Sequence, residues 1–152
     1  MYQKNKSMLV CVIVALLVVA LISPVGASAA VADPVQPNAS NYLSSYAAYV
    51  YLAGDGLVQV YFNVEGTRTM DELGALTIEL YESTDKSNWT WVKTFKHTVD
   101  SGMLGYNDFY HSGHLDYQGV EGRYYKAYVC VWAGKDGGGD TRYFWTSVKP
   151  TT

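Results

Sequence analysis

Three groups of residues in this chain have the types and spacing to do chemistry. His111-Ser112-Gly113-His114, with Asp108 and Asp116 nearby, offers the imidazole and carboxylate ligands that hold zinc. On a strand, positions i and i+3 face opposite ways, so the two histidines can share an ion only if Gly113 bulges the backbone. Asp136 and Asp140, set around Gly137, Gly138 and Gly139, could offer oxygens to calcium, but the Asp-x-Asp-x-Asp-Gly spacing of a calcium loop is missing. A solvated hairpin tip is the plainer reading, and no cofactor or metal is expected.

The third group is aromatic: Tyr81, Tyr124, Tyr128, Trp132, Tyr143 and Trp145 all fall on the side of their strands opposite the aliphatic residues. Flat rings cover large areas and lose little side-chain entropy, so a protein uses them to hold sugar rings or a partner surface. Gathered on one sheet they would form an apolar patch large enough to mark an interaction face. Against this stands the ordinary use of aromatic cross-strand pairs to stabilise sheets.

Catalytic motifs are not visible. The chain has no Gly-x-Ser-x-Gly elbow, no His-Glu-x-x-His pair and no phosphate loop. A serine meeting His97, His111 or His114 in space, or a carboxylate pair drawn from Glu65, Glu79 and Glu82, would have to be assembled by the fold. A non-enzymatic role is the expectation.

Positioning these groups is the task of about 110 residues. Lys4 and Lys6, an uncharged apolar run over 8–22, Pro24 and the small residues Ala27-Ser28-Ala29-Ala30 read as a secretory signal peptide over 1–30, too short in its apolar part to span comfortably. Residues 31–41 carry Pro34 and Pro37 and suit a flexible leader; residues 42–150 are one domain. Removing Lys4 and Lys6 leaves nine of eleven basic residues against all fourteen acids, a net −5 with histidine neutral. Nucleic acid and anionic lipid are poor partners for that charge, and no stable membrane insertion is expected after cleavage. Cys11 leaves with the signal, so Cys130 can form no intrachain disulfide; among Tyr128, Val129 and Val131 it reads as a small apolar strand residue, with an intermolecular bridge as the alternative.

From residue 42 onward the apolar period is two, bounded by glycine and aspartate, which predicts strands over 46–52, 57–65, 76–81, 89–96, 109–117, 123–133 and 141–148. Thr69-Met70-Asp71-Glu72 has capping-box spacing and predicts one helical turn. Residues 100–107 read as an irregular connection, and Trp89, Trp91 and Phe95 as one side of their strand, opposed by Val92. Ser83-Thr84-Asp85-Lys86-Ser87-Asn88-Trp89 resembles the Asp-box turn of sialidase-like propellers, one residue short and without its glycine, a structural turn in any case. The expected fold is all-β: two antiparallel sheets packed as a single β-sandwich of about seven strands, with the third, fourth, sixth and seventh in one sheet, and a small barrel as the alternative.

Tyr125-Lys126-Ala127-Tyr128-Val129-Cys130-Val131-Trp132-Ala133 resembles the tyrosine-led strand at the corner of fibronectin-type-III and immunoglobulin-like sandwiches. The resemblance implies that the Tyr125 phenol bonds back to the loop at 119–122; the missing inter-sheet cysteine pair favours the fibronectin-like form. Through Gly74-Ala75-Leu76, Tyr81-Glu82-Ser83-Thr84-Asp85, Asn88-Trp89-Thr90-Trp91 and Tyr125-Lys126-Ala127-Tyr128-Val129-Cys130, the mature chain is also similar to a family of small secreted Gram-positive bacterial proteins of unassigned function. That likeness implies export and one domain and assigns no functional residue. The expected function is that of a secreted binding module for a carbohydrate, an envelope component or a protein, with self-association as an alternative and a small hydrolase as a third.

Overall fold

Alternation of aliphatic with polar or aromatic residues makes strands almost throughout, and in the computed structural model, which describes residues 40–146 and 149–150, no helix occurs among the described residues. The expected signal peptide and all but the last two residues of the leader, Ser40 and Asn41, lie outside them, as do residues 147 and 148 of the last expected strand. At the first described residue, Ser40, the Oγ accepts from the backbone amides of Tyr42 and Leu43.

The strands are β1 (Leu43–Leu52), β2 (Leu57–Ser83), β3 (Thr90–Lys96), β4 (Leu104–Gln118), β5 (Tyr124–Lys135), β6 (Gly138–Trp145) and β7 (Lys149–Pro150). All pairing is antiparallel. β1 and β2 form the expected hairpin, turned through Gly54, Asp55 and Gly56, all at positive φ, where glycine carries no steric cost. The first half of β2, residues 57–66, lies between β1 and the far end of β4; its second half pairs with β5 and with β3, and β5 pairs in turn with β6.

β2 therefore belongs to both halves of one continuous sheet, which curls into a half-barrel. The expected third, fourth, sixth and seventh strands do lie side by side, in the order β3, second half of β2, β5, β6. Curling brings the inner faces together: Tyr46 of β1 meets Phe144 of β6 with ring centroids 5.0 Å apart, although the two strands share no backbone pairing among the described residues. Between the halves are buried Val50, Val58, Val60, Phe62, Val64, Met70, Leu73, Ile78, Leu80, Tyr125, Val129 and Val131. Burying side chains of this size contributes about 1.5–3 kcal/mol each, and neither half could cover its apolar face alone.

Local expectations fail where the ladder is irregular. Thr69–Glu72 is extended strand, not a helical turn: Met70 is driven into the core and pairs with Asp108, and four residues of β2 bulge between Glu65 and Met70 against one residue of β4. That burial outweighs a cap worth about 1 kcal/mol. Bulges at Leu76 and Val92 shift the alternation by one, so Leu76 is only partly buried, Phe95 points inward and Trp91 outward. Residues 104–107, expected to be irregular, begin the 15-residue β4. The glycine-rich β5–β6 connection is a two-residue turn, Asp136-Gly137, rather than a long loop.

Tyr125 does bond back to its corner. Its Oη accepts from the Val120 amide at 2.8 Å and donates to Glu82 Oε2 at 3.1 Å. Glu82 is also paired with Arg123, which ties the start of β5 to the end of β2.

Candidate aromatic platform

On β5 the residues Tyr125, Ala127, Val129, Val131 and Ala133 are sealed in the core, so Tyr124, Lys126, Tyr128, Cys130 and Trp132 take the outer face. Register then decides which rings meet. Tyr128 pairs with Trp145, Cys130 with Tyr143, and Lys126 with Tyr81, so β2, β5 and β6 each add rings to one surface. Tyr128 lies 4.8 Å from Trp145 and 5.9 Å from Tyr143, centroid to centroid, and Trp145 lies 5.3 Å from Tyr81.

Four of the six expected residues are thus brought together. Tyr143 is 61 % and Trp145 49 % exposed despite these contacts, so the cluster presents ring surface to solvent. Tyr124 stands apart under the Lys86 ammonium, 4.4 Å from its ring centroid. Trp132 also stands apart: its ring lies over Gly134 and Gly139, where a Cβ would collide with the indole, so it serves the hairpin.

Three further residues belong to the platform. Trp91, 56 % exposed, is opposite Tyr81 in the β2–β3 ladder, and its Nε1 donates to Thr94 Oγ1 at 3.0 Å. The Lys126 ammonium sits 4.3 Å from the ring centroids of both Trp89 and Trp145, a doubled cation–π contact. The sequence signal for Trp91 was its disputed alternation with Val92; nothing local marks Lys126.

Polar atoms border the rings. Tyr81 Oη donates to Glu79 Oε2 at 2.8 Å, and that bond raises the phenol pKa above its ordinary 10.0. Tyr143 is raised as well, first by its hydrogen bond with the Cys130 thiol. Cys130 is only 4 % exposed beneath it, and burial pushes the thiol up from 9.0. A second chain could reach that sulfur only by displacing Tyr143.

The other candidates are dispersed. His111 and His114 are on opposite faces with no bulge at Gly113: His111 Nε2 contacts the Gly102 carbonyl at 2.8 Å, while His114 stacks on Tyr61. Asp108 accepts from the Phe109 amide and Asp116 from Gln59. Asp140 is ion-paired with Arg142, and the Asp136 amide is held by Asp71. Glu65 accepts from Ser45, and His97 lies in the turn after β3. Among the described residues no group of three or more His, Cys, Asp or Glu side chains could hold a metal ion.

No known protein-family profile matches the chain, and no curated protein matches it in sequence.

Proposed function

We propose that the chain is an exported, non-enzymatic binding module that holds a carbohydrate of the cell envelope on this aromatic platform. The observation that carries the reading is Tyr128 packed between Tyr143 and Trp145 while the outer two keep about half their surface or more in water. A sugar ring lays its C–H face on such rings, while Lys126 and Glu79 at the border meet its hydroxyls. Export rests on the signal-like first thirty residues, and the fibronectin-like sandwich, as a finer description of the curled sheet, is supported by the Tyr125 bond to Val120.

Binding of cell-wall polysaccharide in a pull-down tests this directly. Trp145→Ser and Tyr128→Ser abolish capture while melting stays within a few degrees; unfolding with capture intact in the surviving folded fraction returns the rings to a structural role. A protein ligand or self-association through the same face would show instead as capture indifferent to polysaccharide, or as concentration-dependent light scattering.

A further inference from the structure

The other half of the sheet has an outer face of its own, and its register is regular enough to be written as rows across β1, β2 and β4. Tyr49, Tyr61 and His114 form one row; Ala47, Asn63 and Ser112 the next; Ser45, Glu65 and Tyr110 the third. The first row is a shingle of offset rings, Tyr49 on Tyr61 at 5.1 Å and 5°, Tyr61 on His114 at 5.1 Å and 25°. The middle row is short. A groove of about 300 Å³ is left over it, with Asn63 and Ser112 as its floor and Tyr110 on the far side.

Rows of like-facing residues are about 7 Å apart along a strand, so the two walls stand about 13 Å apart, and the three strands give a length of about 10 Å. Such a volume is at the low end for ligand sites, enough for one ring with its substituents. Its floor offers one amide and one hydroxyl, neither of which has a hydrogen-bond partner among the described residues. Glu65, in the third row beside Tyr110, accepts from Ser45 at 2.9 Å and lies outside the lining. An apolar wall beside a floor of donors and acceptors matches a pyranose, apolar on its face and hydroxylated at its rim. The acidic balance of the chain opposes a phosphate-bearing ring.

We infer that this groove is a second saccharide site, taking a single neutral sugar ring against the Tyr49–Tyr61–His114 row with its hydroxyls on Asn63 and Ser112. It is separate from the platform and does not depend on it. Titrating the intact chain with glucose, N-acetylglucosamine and their β-1,4-linked tetramers, followed by amide NMR, tests it. The Asn63 side-chain amide and the Ser112 backbone amide shift with the monosaccharides, Asn63→Ala weakens that binding about fivefold, and Trp145→Ser leaves it unchanged. Tyr61→Ala weakens it at least as much; should that variant unfold, Asn63→Ala and Ser112→Ala decide. No shift with any of the four sugars, or shifts that Asn63→Ala does not weaken, overturns the inference. Shifts confined to Tyr128, Tyr143 and Trp145 overturn it too, while leaving the platform reading intact.

Discussion

The two outer faces of this sheet are built by the same alternation and end as different surfaces. On β5 every outward position from Tyr124 to Trp132 is large except Cys130, and Tyr143 covers that one; the result is a plateau of rings. On the first half of β2 the large row of Tyr61 is followed by the short row of Asn63, and the result is a groove. Whether an aromatic row makes a plateau or a wall is set by the residue two positions along the strand. One core serves both, since β2 runs beneath each.

That shared core gives the largest expected effect. Phe62→Ala, made under the groove, removes a fully packed ring and costs about 3–5 kcal/mol. All four tryptophans lie on or beside the platform half, so their fluorescence reports that half, while NMR of Tyr49 and Tyr61 reports the other. The two signals melt together, and at a lower temperature than in the parent. Two separate transitions would divide the sheet into independent halves and break the comparison at its base.

Next in size is Tyr125→Phe, which takes away the phenol that the Val120 amide and Glu82 share and costs about 1–2 kcal/mol. Tyr125 also faces Tyr117 of β4, at 6.4 Å, so the loss is felt by both halves. Burial first, then Glu82, holds the phenol pKa above its ordinary 10.0. A raised pKa means that the folded state favours the protonated phenol: its contribution is complete below 10.0 and is lost as pH rises through the folded value. Denaturation above about pH 10 is therefore shallower in Tyr125→Phe than in the parent, and equal slopes would remove the phenol from the account.

How much of this was legible follows from what each residue's neighbours reveal. β1, the first half of β2, and β5 are readable because their inward positions are apolar, aliphatic apart from Tyr46, Phe62 and Tyr125, and so is the outward side of Tyr81, Tyr128, Tyr143 and Trp145. A single inserted residue reverses every later side chain: the opposition of Val92 to Trp91 and Phe95 is the only local trace of one bulge and nothing around Leu76 marks the other, so the sequence pattern sets Trp91 and Phe95 on one side where the structure sets them on two. Thr69-Met70-Asp71-Glu72 carries a local helical signal that only the remote pairing of Met70 with Asp108 overrules. The groove escaped for a related reason: Tyr49, Tyr61 and His114 are 12 and 53 residues apart, and only register sets them in a row.

The independence of the faces can be sharpened with double-mutant cycles. Tyr128 and Trp145 touch, and replacing each by alanine singly and together gives a coupling of about 0.5–1.5 kcal/mol in thermal or urea unfolding. The pair Tyr61 and Trp145, on different halves and sharing no ring contact among the described residues, couples by less than about 0.5 kcal/mol. A coupling of similar size in both cycles would mean that one face is read through the core by the other, and the two sites would no longer be separate.

The smallest expected effect distinguishes the faces by pH. The Asp85 carboxylate accepts from the Ser87 and Asn88 amides, each at 2.8 Å, and from the Ser83 hydroxyl and the Asn88 side chain. These bonds, the Asn88 amide foremost, hold its pKa far below the ordinary 3.8. A depressed pKa contributes stability that is present above 3.8 and is lost as pH falls through the folded value. The turn that Asp85 closes also fixes Trp89, whose Nε1 donates to the Lys86 carbonyl at 3.1 Å, and Trp89 is one of the two rings around Lys126. Acid strong enough to protonate Asp85 therefore loosens the edge of the platform. Asp85→Asn, which cannot carry the charge, melts slightly below the parent at about pH 6, by a gap that narrows as pH falls from about 4 towards about 2, and its Trp89 indole signal already resembles that of the acidified parent. Asp71 is depressed by Lys135 first, and Asp140, against its burial, by Ser40 and then Arg142; both weaken parent and variant alike in acid, so only the gap between the two chains isolates the turn.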